Sequence, residues 1–389
     1  MARILFYVQH ILGVGHQTRA AAIARALRAA GLEVTYVTGG SEDLALDLNG
    51  ATIVQLPPTR ATDASFKTLV DENGHPIDAN WEQRRRSLLL ETFQNTAPDA
   101  VLIEGYPFAR RRFQFELLPL LKAAKARGTP VAISVRDILV QKKNPDRVQE
   151  TIDIVNTYCT TVLVHGDPAF IAFDETFPAA DAIADKIQYT GYISSDSNTP
   201  NALISPPRKR EGVVVSVGGG AVGAPLVRAA LAARPLTRFR DAPWRIITGP
   251  NFPKSERLKL SAPEGVTLET FSTRFRDMLA QSALSVSQAG YNTIMDLLAT
   301  ETPAVLAPFS QDGETEQSVR AKLLANEAGF NVVSEAALTP SRLARAIDET
   351  ALKHAPDPSA QPSSVKNAIR LNGASETAHR MVDLVALTP

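Results

Sequence analysis

Short apolar runs alternate with helix-length segments through the first half of the chain. The run Arg3–Val8 predicts a strand, and His16–Ala30, rich in Ala, Leu and Arg, predicts the helix that follows it. Further strands are predicted at Glu33–Thr38, Ala51–Leu56, Ala100–Glu104, Val131–Val135, Thr161–His165 and Ile187–Thr190. Strands that alternate with helices are typical of a parallel, doubly wound sheet.

The first predicted helix has one apolar side. Ile23 and Leu27 fall on a single helical stripe together with Ala20 and Ala24, as expected for a helix packed on a sheet. The arginines of this helix are expected mostly away from that stripe; they are Arg19, Arg25 and Arg28.

The second half of the chain repeats the alternation after a polar break. Between Ser194 and Gly212, Ser, Pro and charged residues replace the apolar runs, which indicates a linker. Strands are then predicted at Val213–Val217, Trp244–Thr248, Val266–Glu269, Leu284–Ser287, Ala304–Ala307 and Asn331–Val333. The pattern predicts an α/β protein with two tandem Rossmann-like domains. Their predicted bounds are 1–194 and 212–362, with a linker at 195–211 and a helical segment at 363–389 placed to cross back to the first domain.

Composition narrows the class of protein. A chain of 389 residues, 44% of them hydrophobic and 21% charged, is large enough for two globular domains. Lys plus Arg and Asp plus Glu are 41 each, so no net charge attracts nucleic acid. Cys159 is the single cysteine and cannot form an internal disulfide, which favours the cytoplasm. No apolar run approaches the roughly 20 residues that span a bilayer, so membrane contact is expected only at the surface.

The turn after the first strand contains Gly13, Gly15 and His16. Glycines there let the backbone approach a ligand, and the helix start offers N–H groups to an anion. A dinucleotide fingerprint would need a third glycine, but Thr18 stands in its place. His16 is of a type that acts as a base near neutral pH. The structural alternative is that His16 only caps the helix.

A second glycine turn, Gly218, Gly219 and Gly220, occupies the corresponding position in the second domain. Its amides could surround a pyrophosphate, and a tight turn without a ligand is the alternative explanation.

The stretch from Ser287 to Gln317 has the most specific chemistry. Gly290 opens a predicted helix with Asn292, so its amide and the Thr293 hydroxyl can meet a phosphate. The Asp296 carboxylate can accept two hydrogen bonds from a ribose diol. After the next strand, Glu316 and Gln317 offer acceptors and donors that suit sugar hydroxyls.

In this order, the motifs resemble GT-B glycosyltransferases around the peptidoglycan N-acetylglucosaminyltransferase, a family 28-like group, over most of the chain. The resemblance implies a cleft between the domains and a UDP-sugar on the second. It assigns the diphosphate to Gly219, Gly220 and Thr293 and the ribose to Asp296. It assigns the sugar to Glu316 and Gln317, and the nucleotide base to the region from Phe271 to Met278. The family usually has Glu and Gln where this chain has Asp296 and Glu316, so UDP-GlcNAc is favoured among related UDP-hexoses without being fixed.

The resemblance also implies an inverting reaction with His16 as base. Related enzymes pair this histidine with a carboxylate at a later strand end, and Glu104 is the match, with Asp137 in reserve. A structural ion pair of Glu104 with Arg110 or Arg136 is the alternative. No Asp-x-Asp motif occurs, so neither a metal nor another cofactor is expected.

Other functions and partners stay open at this point. The Gly-His-Gln-Thr-Arg turn also resembles UDP-sugar hydrolases, so a hydrolase or epimerase is one alternative, and a non-catalytic nucleotide-sugar-binding protein is another. The segment Phe108–Phe115 mixes arginines with phenylalanines, which suits a phosphate-bearing or lipid-linked acceptor, or the inner membrane face; a solvated helix face with buried aromatics is the alternative. Arg84–Arg86 is interpreted as a surface charge run, and Thr59–Trp81 as an acceptor loop.

Overall fold

The chain forms two compact units in a computed structural model. The structure describes residues 1–11, 15–40, 47–61, 68–139, 144–194, 210–311, 315–327, 329–353 and 369–386. One unit contains Met1–Pro200 and Arg370–Pro389, and the other contains Asn201–Ile369. Most of the predicted linker, all of the turn 12–14 and residues 312–314 lie outside the described residues.

The first unit is built on a parallel sheet. Its strands are β1 (Arg3–Val8), β2 (Glu33–Thr38), β3 (Thr52–Gln55), β4 (Arg60–Ala61), β5 (Leu69–Val70), β6 (Ala100–Glu104), β7 (Val131–Arg136), β8 (Thr161–His165) and β9 (Ile187–Tyr189). Seven of them form one sheet in the order β3-β2-β1-β6-β7-β8-β9, and β4 pairs with β5 in a separate antiparallel ribbon. Its helices are α1 (Gly15–Ala29), α2 (Ala79–Thr96), α3 (Gln114–Arg127) and α4 (Pro145–Tyr158).

The second unit repeats this architecture. Its strands are β10 (Val213–Ser216), β11 (Trp244–Ile247), β12 (Val266–Glu269), β13 (Leu284–Ser287), β14 (Ala304–Leu306) and β15 (Phe330–Val332), in the order β12-β11-β10-β13-β14-β15. Its helices are α5 (Ala224–Ala233), α6 (Lys254–Arg257), α7 (Phe275–Gln281), α8 (Tyr291–Thr300), α9 (Glu316–Leu324) and α10 (Pro340–Lys353). A last helix, α11 (Gly373–Ala386), belongs to the first unit. The prediction of two tandem Rossmann-like domains is confirmed.

Both faces of the first sheet are buried. Along β1, Leu5 and Tyr7 face one apolar cluster, whereas Phe6 and Val8 face the other, as the alternation of a strand requires. The apolar stripe predicted for α1 is confirmed, because Ile23 and its neighbours on the stripe are fully buried. Arg19, which was expected mostly away from that stripe, has a buried side chain as well.

Arg85 also contradicts the sequence-based expectation. Its side chain is fully buried, so Arg84–Arg86 is not a surface charge run as a whole. The helical period explains this, because Trp81, Arg85 and Leu89 lie on the same buried face of α2. The buried guanidinium is neutralised by Glu116, with Nε 2.8 Å from Oε2. No helix in the described ranges is long and apolar enough to cross a membrane.

Each sheet reverses its strand order at one place, between β1 and β6 in the first unit and between β10 and β13 in the second. Loops that leave the carboxyl ends of two such strands run in opposite directions, and this leaves space for a ligand. The predicted site residues Gly15, His16 and Glu104 lie at the first reversal, and the glycines near 218 and 290 lie at the second.

Candidate functional site

His16 and Glu104 form a hydrogen-bonded pair at the first reversal. His16 is the second residue of α1 and Glu104 the last residue of β6; Nδ1 of the histidine lies 2.7 Å from Oε1 of the carboxylate. An ionised carboxylate only accepts hydrogen bonds, so the shorter contact, with Glu104, assigns the proton to Nδ1 and leaves Nε2 its lone pair. Arg19 Nη2 also lies 3.1 Å from Nδ1 but can only donate, so it does not bond to the histidine in this tautomer. The His16 side chain is 21% exposed and that of Glu104 is 2% exposed. The histidine can therefore present Nε2 to solvent as a proton acceptor while the carboxylate that supports it stays buried.

Arg19 keeps the Glu104 carboxylate ionised. Its Nη2 lies 2.5 Å from Oε1 of Glu104, and both side chains are almost fully buried. Burial raises the pKa of Glu104, but the charges and hydrogen bonding of His16 and then Arg19 outweigh it and hold that pKa well below its usual range. The sequence also suggested Arg110 or Arg136 as the partner of Glu104. Among the described residues, neither of them forms an ion pair with it.

The His16 ring is neutral at physiological pH. Burial lowers the pKa of His16 to about 3, and the charges of Arg110 and Arg19 act in the same direction, whereas Glu104 opposes them. A neutral imidazole whose Nε2 can accept a proton is the form that a general base needs. A capping role alone does not account for the bond to Glu104.

Asp137, the reserve candidate, has a different partner. It follows β7 directly, is fully buried, and accepts a hydrogen bond from the Tyr192 hydroxyl at 2.8 Å. Gly166 leaves it room, since a Cβ at that glycine would lie 2.6 Å from the Asp137 Cβ. The described contacts of His16 therefore join it to Glu104 and not to Asp137.

His165 is a buried histidine that the sequence did not single out for a role. Its Nε2 lies 2.6 Å from Ser134 Oγ and its Nδ1 lies 2.9 Å from Thr190 Oγ1. Burial lowers the pKa of His165 to about 3, with Arg19 adding to the effect. This neutral ring joins Ser134 of β7 and the end of β8 to Thr190, the residue after β9. A single histidine in an apolar strand gives no sequence signal for such a network.

Close backbone packing explains part of the second glycine turn. Gly218 and Gly220 have φ values of +56° and +92°, and a Cβ at Gly220 would come within 2.2 Å of the Thr248 carbonyl oxygen. The Asn251 N–H donates to the Gly219 carbonyl at 2.9 Å, and the Gly220 N–H donates to Val217 at 3.0 Å. The glycines thus join the loops after β10 and β11, and the diphosphate contacts of Gly218, Gly219 and Gly220 stay a prediction.

The start of α8 is more open. Gly290 is its N-cap, and a Cβ there would meet nothing within 4 Å. The first turn of a helix directs N–H groups without intrahelical partners toward this space. Thr293 and Asp296 are buried behind it, and Asn292 is half-buried. Their contacts with a nucleotide remain predictions.

Gln317 and Glu316 make contacts within the protein. Gln317 Oε1 accepts the N–H groups of Ala289 and Phe309, each at 3.1 Å, and so joins the loops after β13 and β14. Glu316 is buried and accepts a hydrogen bond from Arg320 at 2.9 Å. The predicted sugar contacts would have to be made by the remaining atoms, such as the Gln317 amide nitrogen.

The region predicted to bind the nucleotide base begins and ends at opposite edges of the second sheet. Phe271 follows the carboxyl end of β12 and is 50% exposed. Met278 is buried and lines a cavity of about 330 Å³ with Val213, the first residue of β10. Met278 is therefore at the amino ends of the strands, whereas ligands bind at the carboxyl ends in such sheets. Of these two residues, only Phe271 is placed where the nucleotide base is expected.

The segment Phe108–Phe115 divides by residue type. Phe108 and Phe113 are buried in the core, whereas Arg111 pairs with Glu150 and Arg112 pairs with Glu82. For these residues the structure agrees with the alternative of a helix face with buried aromatics, since the two arginines form ion pairs with glutamates. Within the described ranges, no cluster of His, Cys, Asp or Glu side chains is arranged to hold a metal ion.

Comparison with known proteins finds a family match in the second half of the chain. Residues 214–379 match the glycosyltransferase family 28 C-terminal domain. A 231-residue part is 26% identical to the UDP-N-acetylglucosamine--N-acetylmuramyl-(pentapeptide) pyrophosphoryl-undecaprenol N-acetylglucosamine transferase of Trichodesmium erythraeum, covering 58% of this chain and 55% of that protein. The enzyme of the same description from Gloeothece citriformis is 24% identical over 230 residues. The chain thus spans little more than half the length of these relatives.

Solved structures extend the likeness to the whole fold. The crystal structure of Acinetobacter baumannii MurG has a TM-score of 0.59 at 17% identity and covers 99% of both chains. The calicheamicin glycosyltransferase CalG4 has a TM-score of 0.64 at 15% identity and covers 100% of both chains. The resemblance predicted from the sequence motifs is confirmed: the chain has the fold of GT-B glycosyltransferases, and its residues 214–379 match the model of the glycosyltransferase family 28 C-terminal domain.

Proposed function

We propose that this chain is an inverting, metal-independent glycosyltransferase that moves a sugar from UDP-GlcNAc or a related UDP-hexose to an acceptor hydroxyl. The observation that carries the proposal is the 2.7 Å bond between His16 Nδ1 and Glu104, which leaves Nε2 of a neutral ring as proton acceptor. It occurs at the strand-order reversal of a unit that precedes a family 28 domain.

The reaction follows from the charges of these groups. His16 Nε2 takes the proton of the acceptor hydroxyl while its oxygen attacks the anomeric carbon, and the bond from that carbon to the UDP oxygen breaks. One displacement inverts the anomeric configuration. Glu104 stabilises the imidazolium that forms, and the start of α8 with Thr293 would stabilise the leaving diphosphate.

The relatives support the proposed substrates. The two named enzymes use UDP-N-acetylglucosamine and an undecaprenol-linked acceptor according to their descriptions. By analogy, the proposed acceptor is lipid-linked or phosphate-bearing, and the proposed location is the cytoplasm at the inner face of the membrane.

Thermal unfolding with a panel of nucleotides and nucleotide sugars tests the donor. UDP at about 100 times its Kd should stabilise the fold by roughly 2.7 kcal/mol. The stabilisation should vanish in Asp296→Ala and persist in Asp241→Ala, which removes an exposed carboxylate of the same unit. Absence of any response to uridine nucleotides would reject the proposal.

A nucleotide-sugar hydrolase is the second candidate. The turn that resembles such enzymes includes Arg19, which holds Glu104 beside His16, and the same pair could activate water. Loss of UDP-sugar at a substantial rate without an acceptor would favour hydrolysis. Binding without any turnover, unchanged in His16→Ala, would favour a non-catalytic binding protein.

A further inference from the structure

Arg110 differs from the two arginines that follow it. Arg111 and Arg112 each pair with a glutamate, but the Arg110 guanidinium makes no hydrogen bond or ion pair with any described residue. Its Nε is buried without a partner. Since a guanidinium has five N–H donors, an unsatisfied and partly buried one is costly.

Two arginines and one carboxylate act electrostatically on Arg110. Burial lowers its pKa, Arg136 and Arg19 add to that effect, and Glu104 is the carboxylate that opposes it. Arg136 is the last residue of β7, next to β6 in the sheet, so these groups share the carboxyl edge at which His16 lies. The charge of Arg110 also acts on His16 itself. Arg110 therefore acts electrostatically on both members of the pair formed by His16 and Glu104.

Arg110 is also held in an uncommon backbone conformation. Its φ of +59° is in the left-handed region, which a residue with a side chain seldom adopts. Such positions are more frequent at ligand sites than elsewhere, because the surrounding structure fixes them at a cost in stability.

We propose that Arg110, assisted by Arg136, binds an oxyanion of the phosphate class beside His16, and that this anion is carried by the acceptor. The planar guanidinium fork fits two oxygens of a phosphate, whose negative charge would balance that of the Arg110 guanidinium. The binding site rests on the structure of the first unit; its assignment to the acceptor rests on the proposed function.

The stability of the unliganded protein provides the first test. A residue kept for a ligand destabilises the empty fold, so Arg110→Gln should raise the Tm in phosphate-free buffer by about 2–4 °C. Arg112→Gln, which removes an adjacent but exposed and paired arginine, should leave the Tm nearly unchanged. A lower Tm or failure to fold for Arg110→Gln would show that Arg110 supports the fold, for instance by pairing with the unpartnered Oε2 of Glu104, and would overturn the proposal.

Titration with inorganic phosphate provides the second test. Phosphate should raise the Tm of the wild type and of Arg112→Gln, and its Kd should be about tenfold weaker or more in Arg110→Gln. Arg110→Lys keeps the charge without the fork and should be intermediate. Equal phosphate responses in all variants would place the anion elsewhere and overturn the proposal.

A parallel titration with UDP separates acceptor from donor. If the anion belongs to the acceptor, Arg110→Gln should bind UDP as tightly as the wild type does. A loss of UDP affinity as large as the loss of phosphate affinity would assign the anion to the donor diphosphate and contradict the acceptor assignment. Neither titration needs turnover, so a failed transfer assay would reject the proposed function without deciding the fate of this site.

Discussion

At the scale of single residues, the candidate base depends on three side chains from two elements. Glu104 fixes the tautomer of His16, and Arg19 keeps Glu104 charged in a buried place. The sequence could indicate His16 and Glu104, because one follows a glycine turn and the other ends an apolar strand. Arg19 was expected mostly away from the apolar stripe of α1, and its spacing of three from His16 places the two on neighbouring positions of one helix face. That local spacing was the signal for its role.

Replacing Glu104 with glutamine should lower kcat by about 10²–10⁴-fold, because the His16 tautomer and the imidazolium lose their support. The change also leaves Arg19 without its carboxylate, so the fold should lose stability. Glu116→Gln is the matched control, since it breaks the buried pair with Arg85 and should cost a comparable amount, about 3–5 kcal/mol. Steady-state rates corrected for the folded fraction distinguish the two. An equal fall of kcat in both variants would reduce Glu104 to a structural residue.

At the scale of elements, the sequence predicted the sheet strands well and the small ones not at all. The strand Ala100–Glu104 is found as predicted, because a short apolar run is typical of a strand that is buried on both faces of a parallel sheet. The ribbon of β4 and β5 lies in a segment interpreted as a loop, since strands of two residues have no period to read. The burial of Arg85 was not predicted for a different reason: it requires Glu116, which comes from another helix.

Two glycines at equivalent turns should respond differently to alanine. Gly220→Ala should lower the free energy of unfolding by more than about 1 kcal/mol, because its φ is +92° and its Cβ would strike Thr248. Gly290→Ala should cost about 1 kcal/mol or less, since φ is −66° and the space is open.

The same open space is where the diphosphate is predicted, so Gly290→Ala should weaken UDP binding while the fold persists. Denaturant unfolding and UDP calorimetry measure the two effects. Unchanged UDP affinity in a folded Gly290→Ala protein would move the donor site away from the start of α8.

At the scale of the whole molecule, the first unit contains both ends of the described chain. Helix α11 packs against α1, and its residues Ala374, Ala378, Met381 and Leu384 enter the same apolar cluster as Ile23. The sequence predicted that the segment 363–389 crosses back to the first domain, but the alternation of strands and helices does not say which face of that domain the helix covers. The family match to residue 379 likewise ends inside α11.

The docking of α11 can be measured separately from the second unit, because the two tryptophans of the chain, Trp81 and Trp244, lie in different units. Met381 is fully buried, so Met381→Ala should destabilise the first unit by about 2–5 kcal/mol. Val382, its neighbour, is 38% exposed, and Val382→Ala should change stability by about 0.5 kcal/mol or less. Unfolding followed by Trp81 fluorescence in a Trp244→Phe background should shift with Met381→Ala, whereas Trp244 in a Trp81→Phe background should not. If both tryptophans report the same shift, the units unfold as one and the stability provided by α11 extends beyond the unit it covers.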